Sequence, residues 1–188
     1  LHLVVDKLSA AGIATIMCTP TCTPPAWLTE RYPEVLFVDT DGKQATHGGR
    51  RHTCPISPVY RGHCERIVTR MAEEFGRDDR IIGWQIDNEV YPHRDRVCCC
   101  PACVSKFRAD MQKRFGTIEA LNGPWGTSYA DFSEPIPTLT PFVEDRRLRD
   151  GCRYRYDVAT DYARWVVNEY RRNGCTVPIL LNTWPGVD

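Results

Sequence analysis

Three adjacent polar residues, Asp87, Asn88 and Glu89, follow a short apolar stretch that is predicted to form a buried strand. A glutamate at the carboxyl end of a strand can act as a general acid when burial raises its pKa. Asn88 is suited to hydrogen-bond a substrate hydroxyl, whereas Asp87 is a weaker candidate and is expected to be structural. Glu89 is therefore the candidate catalytic residue, with an ordinary strand-end ion pair as the alternative interpretation.

A group of closely spaced cysteines follows in residues 98–103. Cys98, Cys100 and Cys103 form a C-x-C-x2-C pattern, which puts three soft metal ligands on one loop and the following helix start. A structural zinc site needs four ligands in a tetrahedron. Cys54 is the best candidate for the fourth, because its loop follows a neighbouring strand position. Four thiolates leave no open position for water, so the predicted zinc is structural.

The other residues near these cysteines that could bind a metal are not expected among the four ligands. Cys99 is expected to point away from its neighbours, and His52 and His93 are reserve ligands. An accidental thiol cluster or a redox pair is the alternative to zinc. Tight clustering of thiols favours metal binding in a reducing compartment, which predicts a cytoplasmic protein.

Two arginines, Arg50 and Arg51, follow a Gly-Gly pair in a loop that is expected near the same face as Glu89. An arginine there could reach a substrate hydroxyl or carboxylate. The alternative is a solvated basic pair, and this is the preferred interpretation for Arg51.

Apolar strand patterns alternate with helical patterns along the chain, which predicts an α/β fold built from parallel βα units. Strands are predicted in GIATIMCTPT, RIIGWQIDNE and VPILLN. The stretch from 19 to 33 is predicted to be a loop because of its prolines. Helices are predicted at 1–10, 57–76, 101–116, 117–126 and 152–173. The polar candidates follow strand ends, where a (β/α)8 barrel or an open α/β sheet places its site.

The composition is that of an ordinary soluble globular protein, with 24 basic and 24 acidic residues among 188. This charge balance gives no indication of a nucleic-acid partner or of an anionic membrane surface. The sequence contains no apolar run of the roughly 20 residues that a membrane-spanning helix needs. Since Leu1 already stands in a helical pattern, we expect the chain to be a segment of a longer protein.

Several motifs together resemble glycoside hydrolase family 42, and the resemblance covers almost the whole chain. They are TPTCTPPAWL, GGRRHTCPISPVYR, GWQIDNE, CCCPACVSKFR and FGTIEALNGPWGTSY. That family consists of β-galactosidases with a (β/α)8 catalytic barrel. The resemblance implies that residues 1–188 form an incomplete catalytic domain, a partial (β/α)8 (TIM) barrel with roughly the second to fifth strands and a zinc-binding loop.

The resemblance also implies a role for each matching position. Glu89 matches the general acid/base, Asn88 its sugar-contacting neighbour, and Arg50 a substrate-binding arginine. Asn182 matches an asparagine at the end of the fifth strand, to which no role is assigned. The cysteines that match the family's zinc ligands are Cys54, Cys98, Cys100 and Cys103.

The expected activity is retaining hydrolysis of terminal β-galactosides, with a saccharide as the partner and a possible homotrimer of the full-length protein. The nucleophilic glutamate is expected outside this chain, so the isolated segment is predicted to be inactive. The family usually has a tryptophan where this chain has Ala130, which leaves open a related barrel glycosidase with another sugar preference. A zinc-stabilised carbohydrate-binding or structural module without catalysis is the alternative from another class.

Overall fold

The computed structural model describes residues 1–49, 51–90, 96–139 and 146–182. Three short strands alternate with helices along these residues. The strands are β1 (Thr15–Cys18), β2 (Ile81–Gln85) and β3 (Ile179–Leu180). The helices are α1 (His2–Ala10), α2 (Ala26–Arg31), a 3₁₀ helix (Pro33–Val35), α3 (Pro58–Phe75), α4 (Pro101–Phe115), α5 (Ile118–Trp125) and α6 (Arg146–Arg172).

The three strands form one parallel sheet in the order β1-β2-β3, so β2 is the central strand. Parallel neighbours need long crossover connections, and helices supply them here. Helices α2 and α3 connect β1 to β2, and α4 to α6 connect β2 to β3. The predicted βα units are therefore confirmed. The predicted range, roughly the second to the fifth strand of the barrel, would comprise four strands. The described residues contain three.

The main core lies between this sheet and the long helices α3 and α6. Trp84 on β2 is fully buried and packs on Tyr170 of α6, with ring centroids 4.6 Å apart. Val68 of α3 and Val166 of α6 complete the same apolar cluster. Trp84 is thus a core residue. Helix α6 begins six residues earlier than the predicted helix because its first turns also pack inward, through Leu148.

Helix boundaries follow the capping residues that the sequence supplies. The Ser57 hydroxyl accepts the Tyr60 amide at the start of α3, and the Thr117 hydroxyl accepts the Ala120 amide at the start of α5. Gly116 ends α4 with a φ of 76°, which a residue with a side chain rarely adopts. The starts of α3 and α5 and the end of α4 therefore agree with the predicted ranges to within one residue.

One element contradicts the sequence prediction. Residues 19–33 were expected to be a loop, but Ala26–Arg31 form helix α2. Pro25 stands at the N-cap of this helix, and Pro33 begins the following 3₁₀ helix. Proline is tolerated at such positions because the first amides of a helix have no partner within it. The prediction was wrong because it counted prolines without considering where they stand.

Candidate active site and metal site

The chain leaves the central strand β2 through a turn with an unusual backbone. Asp87 has a φ of 43° and Glu89 a φ of 53°, both in the left-handed region. Such values are uncommon for residues with a Cβ atom, and they concentrate at functional sites. The two residues flank Asn88, and both Asn88 and Glu89 are half-buried. The sequence Asp-Asn-Glu thus lies at the carboxyl end of the sheet, where we expected it.

Asp87 holds this turn to the loop that follows β1. One of its carboxylate oxygens accepts the amides of Thr21 and Cys22, at 3.0 and 3.1 Å, and the Thr21 hydroxyl. The other oxygen accepts the hydroxyl of Tyr162 at 3.4 Å. Burial, and then the nearby Tyr60 and Asp87, raise the pKa of Tyr162, so this phenol stays protonated and can donate. Asp87 is buried by these contacts and is structural, as expected.

Asn182, just after β3, contacts both residues of the candidate pair. Its Oδ1 accepts the backbone amide of Glu89 at 2.9 Å, and its Nδ2 donates to Oδ1 of Asn88 at 2.8 Å. The same Oδ1 accepts from Nε2 of Gln85 at 3.3 Å. One side chain that follows the neighbouring strand therefore contacts both the end of β2 and the turn.

Arg51 does not have the solvated position that we expected. Its guanidinium donates a hydrogen bond to the backbone carbonyl of Asn88, and its side chain lines a small cavity beside Asp87. Burial lowers the pKa of Arg51, and the negative charge of Asp87 opposes this effect. The interpretation of Arg51 as a solvated cation was wrong, because its guanidinium is engaged by the carbonyl of Asn88 and is not free in solvent. Arg50, the predicted substrate-binding arginine, lies outside the described residues.

The four cysteines predicted as zinc ligands lie together. The sulfur atoms of Cys54, Cys98, Cys100 and Cys103 are all within 4.8 Å of one another, and all four residues are buried. The Sγ atom of Cys54 lies 3.4 Å from that of Cys103 and 3.6 Å from that of Cys100. The fold thus brings the three cysteines of the C-x-C-x2-C pattern together with Cys54, which was expected from the position of its loop.

A short apolar segment, residues 35–38, holds both cysteine-bearing stretches. The carbonyl of Val35 accepts the amide of Cys54 at 2.8 Å, and that of Val38 accepts the amide of Cys99 at 2.7 Å. Phe37 packs against the cluster itself. Cys103 then enters from the first turn of α4, so three separate parts of the chain meet around the sulfurs.

The cluster fits a tetrahedral zinc ion. Zinc–sulfur bonds of about 2.3 Å imply sulfur–sulfur edges of about 3.8 Å, close to the separations observed here. Hydrogen bonds from Cys103, Cys54 and Cys98 lower the pKa of Cys100, and hydrogen bonds to Cys100 raise the pKa of Cys54 and of Cys103, so these contacts favour a thiolate at Cys100. Four soft thiolates are a donor set that zinc prefers.

The other nearby donors do not join this cluster. Cys99 turns its sulfur toward the carbonyl of Pro137, at 3.4 Å, and burial raises the pKa of its thiol to about 12. Cys99 is a bystander, as expected. The imidazole of His52 faces the carbonyl of Gly49 through Nδ1. His93, the other reserve ligand, lies outside the described residues.

The sequence profile of glycoside hydrolase family 42, described as "Beta-galactosidase", matches residues 1–187. The chain belongs to glycoside hydrolase family 42. A β-galactosidase of Thermus thermophilus is 48% identical over 174 residues, which cover 89% of this chain and 27% of that protein. The chain therefore spans about a quarter of the length of the curated relatives that it matches.

Solved structures of this family share the fold. The β-galactosidase of the psychrophilic Marinomonas ef1 has a TM-score of 0.82 and 34% identity, over 95% of this chain and 28% of that chain. The Halorubrum lacusprofundi β-galactosidase has a TM-score of 0.85 and 30% identity, over 100% of this chain and 30% of that chain. The parallel βα units described above are thus part of a (β/α)8 barrel, which confirms the predicted fold class.

The sequence did not reveal the residues that hold the turn of Asp87, Asn88 and Glu89 in place. Thr21, Tyr162 and Arg51 all contact the Asp87–Asn88 backbone or side chains, yet none carries a local signal for this role. Asn182 was the exception, because it matched a family position without an assigned role. Its position just after a strand, like that of Asn88, was the available signal.

Proposed function

We propose that the full-length protein to which this chain belongs is a retaining β-galactosidase. The carrying observation is the Asn88–Glu89 pair at the carboxyl end of the central strand, turned off the sheet by two residues with left-handed backbones. Active sites of (β/α)8 enzymes lie at this end of the barrel. The names of the family-42 relatives support the galactoside as substrate.

In the proposed reaction Glu89 acts twice. A second carboxylate attacks the anomeric carbon while Glu89 donates a proton to the leaving oxygen, which breaks the glycosidic bond. Glu89 then takes a proton from water, and the resulting attack on the anomeric carbon releases the sugar from the nucleophile. We expect the nucleophile from a part of the barrel outside this chain, at about 5–5.5 Å from Glu89 as retention requires. Asn88 and Arg50 would hydrogen-bond the sugar.

A related sugar preference is the second candidate, favoured by one position. Ala130 stands where the family usually has a tryptophan, and its amide donates to the carboxylate of Glu134 within a tight turn. An alanine offers no ring on which a galactose could stack. Hydrolysis rates of the full-length protein on a panel of aryl glycosides would rank the sugars, and a clear preference for a sugar other than galactose would support this candidate.

We also propose a structural zinc ion held by Cys54, Cys98, Cys100 and Cys103. The ion would supply a rigid link between the stretch that follows the catalytic turn and the loop of Cys54, with no part in the chemistry. The fit of four buried sulfurs to zinc geometry supports this assignment.

A cytoplasmic location and a homotrimer complete the proposal. The ten cysteines are all unpaired, which is typical of a reducing compartment. Among the described residues, none of the helices has the length and apolar character needed to cross a bilayer.

The family resemblance supports the trimer. Light scattering of the full-length protein would give its subunit number, and a monomer would contradict the proposed assembly.

The direct test of the function is Glu89→Gln in the full-length protein. Glutamine keeps the shape of the side chain but cannot transfer the proton, so kcat on an unactivated β-galactoside should fall by about 10²–10⁴-fold. Glu119→Gln is the matched control, since Glu119 is exposed on the first turn of α5. Retention of the wild-type rate by Glu89→Gln would contradict the role. A full-length protein that binds galactosides without hydrolysing them would favour the non-catalytic carbohydrate-binding module.

A further inference from the structure

We propose that Asn182 is a positioning residue for the catalytic turn. It would act by fixing both the side-chain orientation of Asn88 and the backbone of Glu89. This inference rests on the proposed glycosidase function. It assigns a role to a side chain that lies just after β3 and that does not itself transfer protons.

The two contacts of Asn182 determine its orientation. Its Oδ1 accepts the Glu89 amide, and its Nδ2 donates to Oδ1 of Asn88. An amide has distinct donor and acceptor ends, so only one of its two flipped orientations satisfies both contacts. That orientation in turn directs the oxygen of Asn88 toward Asn182. In the proposed function, the contact of Asn88 with the sugar would then be made by its NH2 group, since its oxygen accepts from Asn182.

The contacts lie where backbone pairing between the strands ends. Gln85 pairs with Leu180, and the amide of Ile86 donates to the carbonyl of Leu180 at 2.9 Å. Beyond this point the left-handed φ values of Asp87 and Glu89 take the chain out of register with β3. The side chain of Asn182 replaces the backbone there and gives the Glu89 amide an acceptor.

Gln85 also contacts the oxygen of Asn182 that accepts the Glu89 amide. Its Nε2 donates to Oδ1 of Asn182 at 3.3 Å and to the carbonyl of Asp87 at 2.9 Å. The last residue of β2 therefore helps to fix the side chain of Asn182. A catalytic group displaced by about 1 Å can cost about 10²-fold in rate, so fixing this turn matters for catalysis.

The test is a double-mutant cycle on kcat/KM of the full-length protein with a chromogenic β-galactoside. Asn182→Ala should lower kcat/KM by about 10- to 100-fold. If Asn182 acts through Asn88, the loss in the Asn182→Ala, Asn88→Ala double variant should be clearly smaller than the product of the two single losses. Asn182→Asp keeps the oxygen for Glu89 but loses the donor to Asn88, so its loss should nearly disappear in the Asn88→Ala background.

Asn173→Ala is the matched control for the loss of a half-buried asparagine. Asn173 donates to the carbonyl of Glu169 and to the hydroxyl of Thr69, at the far end of α6. It should reduce the melting temperature to a similar extent without changing kcat/KM. Should Asn182→Ala not fold, the Asn182→Asp arm of the cycle decides alone.

Two outcomes would overturn the inference while the proposed function stands. One is an active wild type with unchanged kcat/KM in the Asn182 variants, and the other is single losses that simply multiply. An inactive wild type would instead contradict the proposed function and the inference together.

Discussion

At the scale of single residues, the backbone carbonyl of Asn88 has a charged partner in Arg51. Hydrogen bonds with an ionised donor are about twice as strong as neutral ones. The guanidinium also lies near the Asp87 carboxylate, so one cation interacts with both Asp87 and Asn88. We infer that Arg51 stabilises the left-handed backbone on either side of Asn88.

We expect Arg51→Met in the full-length protein to lower kcat/KM on a β-galactoside by about 10-fold. Methionine fills similar space but cannot donate, so the Asn88 carbonyl would lose its charged partner and the turn would become less ordered. Arg51→Lys should recover part of the loss, because lysine keeps the charge but not the planar geometry. Steady-state kinetics on the three proteins would measure this order.

Arg108→Met is the appropriate control for Arg51→Met. Arg108 on α4 also donates to a backbone carbonyl, that of Pro135 at 2.9 Å, away from the catalytic turn. Equal losses of kcat/KM in both variants would indicate a general effect of removing an arginine, and the role of Arg51 would then be refuted.

The sequence indicated Glu89 and the cysteines but not Arg51, and the reason is physical. A strand end and a C-x-C-x2-C spacing are local patterns that constrain where side chains lie. Arg51 instead has a left-handed φ and contacts a residue 37 positions further along the chain, and no local pattern specifies either feature. Arg50 and Arg51 are adjacent arginines, so residue type alone does not distinguish their roles.

At the scale of elements, the segment of residues 35–38 links the Cys54 loop to the stretch that follows the turn of residues 87–89. It hydrogen-bonds the Cys54 loop at one end and the stretch that follows the turn, at Cys99, at the other. The sulfur cluster lies between these two contacts. A zinc ion there would lock the exit from the turn against a loop that precedes α3.

We expect Cys54→Ser and Cys98→Ser in the full-length protein to lower bound zinc well below one ion per chain. The melting temperature should fall as well, because the free energy of binding a structural metal contributes to folding. Acidification should release the zinc from the wild type, since the ligands must be deprotonated and falling pH protonates them. Elemental analysis and thermal unfolding would measure these effects.

Cys99→Ser provides a control within the same loop. The Cys99 sulfur faces Pro137 rather than the cluster, so this variant should keep its zinc. Undiminished zinc in both Cys54→Ser and Cys98→Ser would refute the ligand set.

Helix α2 shows what a count of residue types misses at this scale. Its prolines lie at the boundary of the helix and beyond, where a missing amide costs nothing. Within the helix, Leu28 is buried against the main core. This tertiary contact stabilises a six-residue helix that local propensity alone would not. Helices α3 and α5 were predicted well because they have capping residues and apolar positions, which are local signals in the sequence.

At the scale of the whole molecule, the described sheet needs further partners. Strands β1 and β3 each pair on one side only within the described residues, whereas every strand of a closed barrel pairs on both. Ile16, Ile82 and Leu180, one on each strand, are 49%, 52% and 43% exposed. The curated relatives are about four times as long as the matched region, so the rest of a family-42 barrel can cover these surfaces.

We therefore expect the isolated 188-residue segment to aggregate and to show no β-galactoside hydrolysis above the uncatalysed rate. Unpaired strand edges and exposed apolar side chains promote association, and the mechanism needs a second carboxylate opposite Glu89. Size-exclusion chromatography and a chromogenic assay on the segment and on the full-length protein would test both points. A monodisperse segment with a robust rate would mean that both carboxylates lie within these residues, and the assignment of the nucleophile to the rest of the barrel would be wrong. A soluble but inactive segment would instead show that the sheet edges are protected locally, while the two-carboxylate argument would stand.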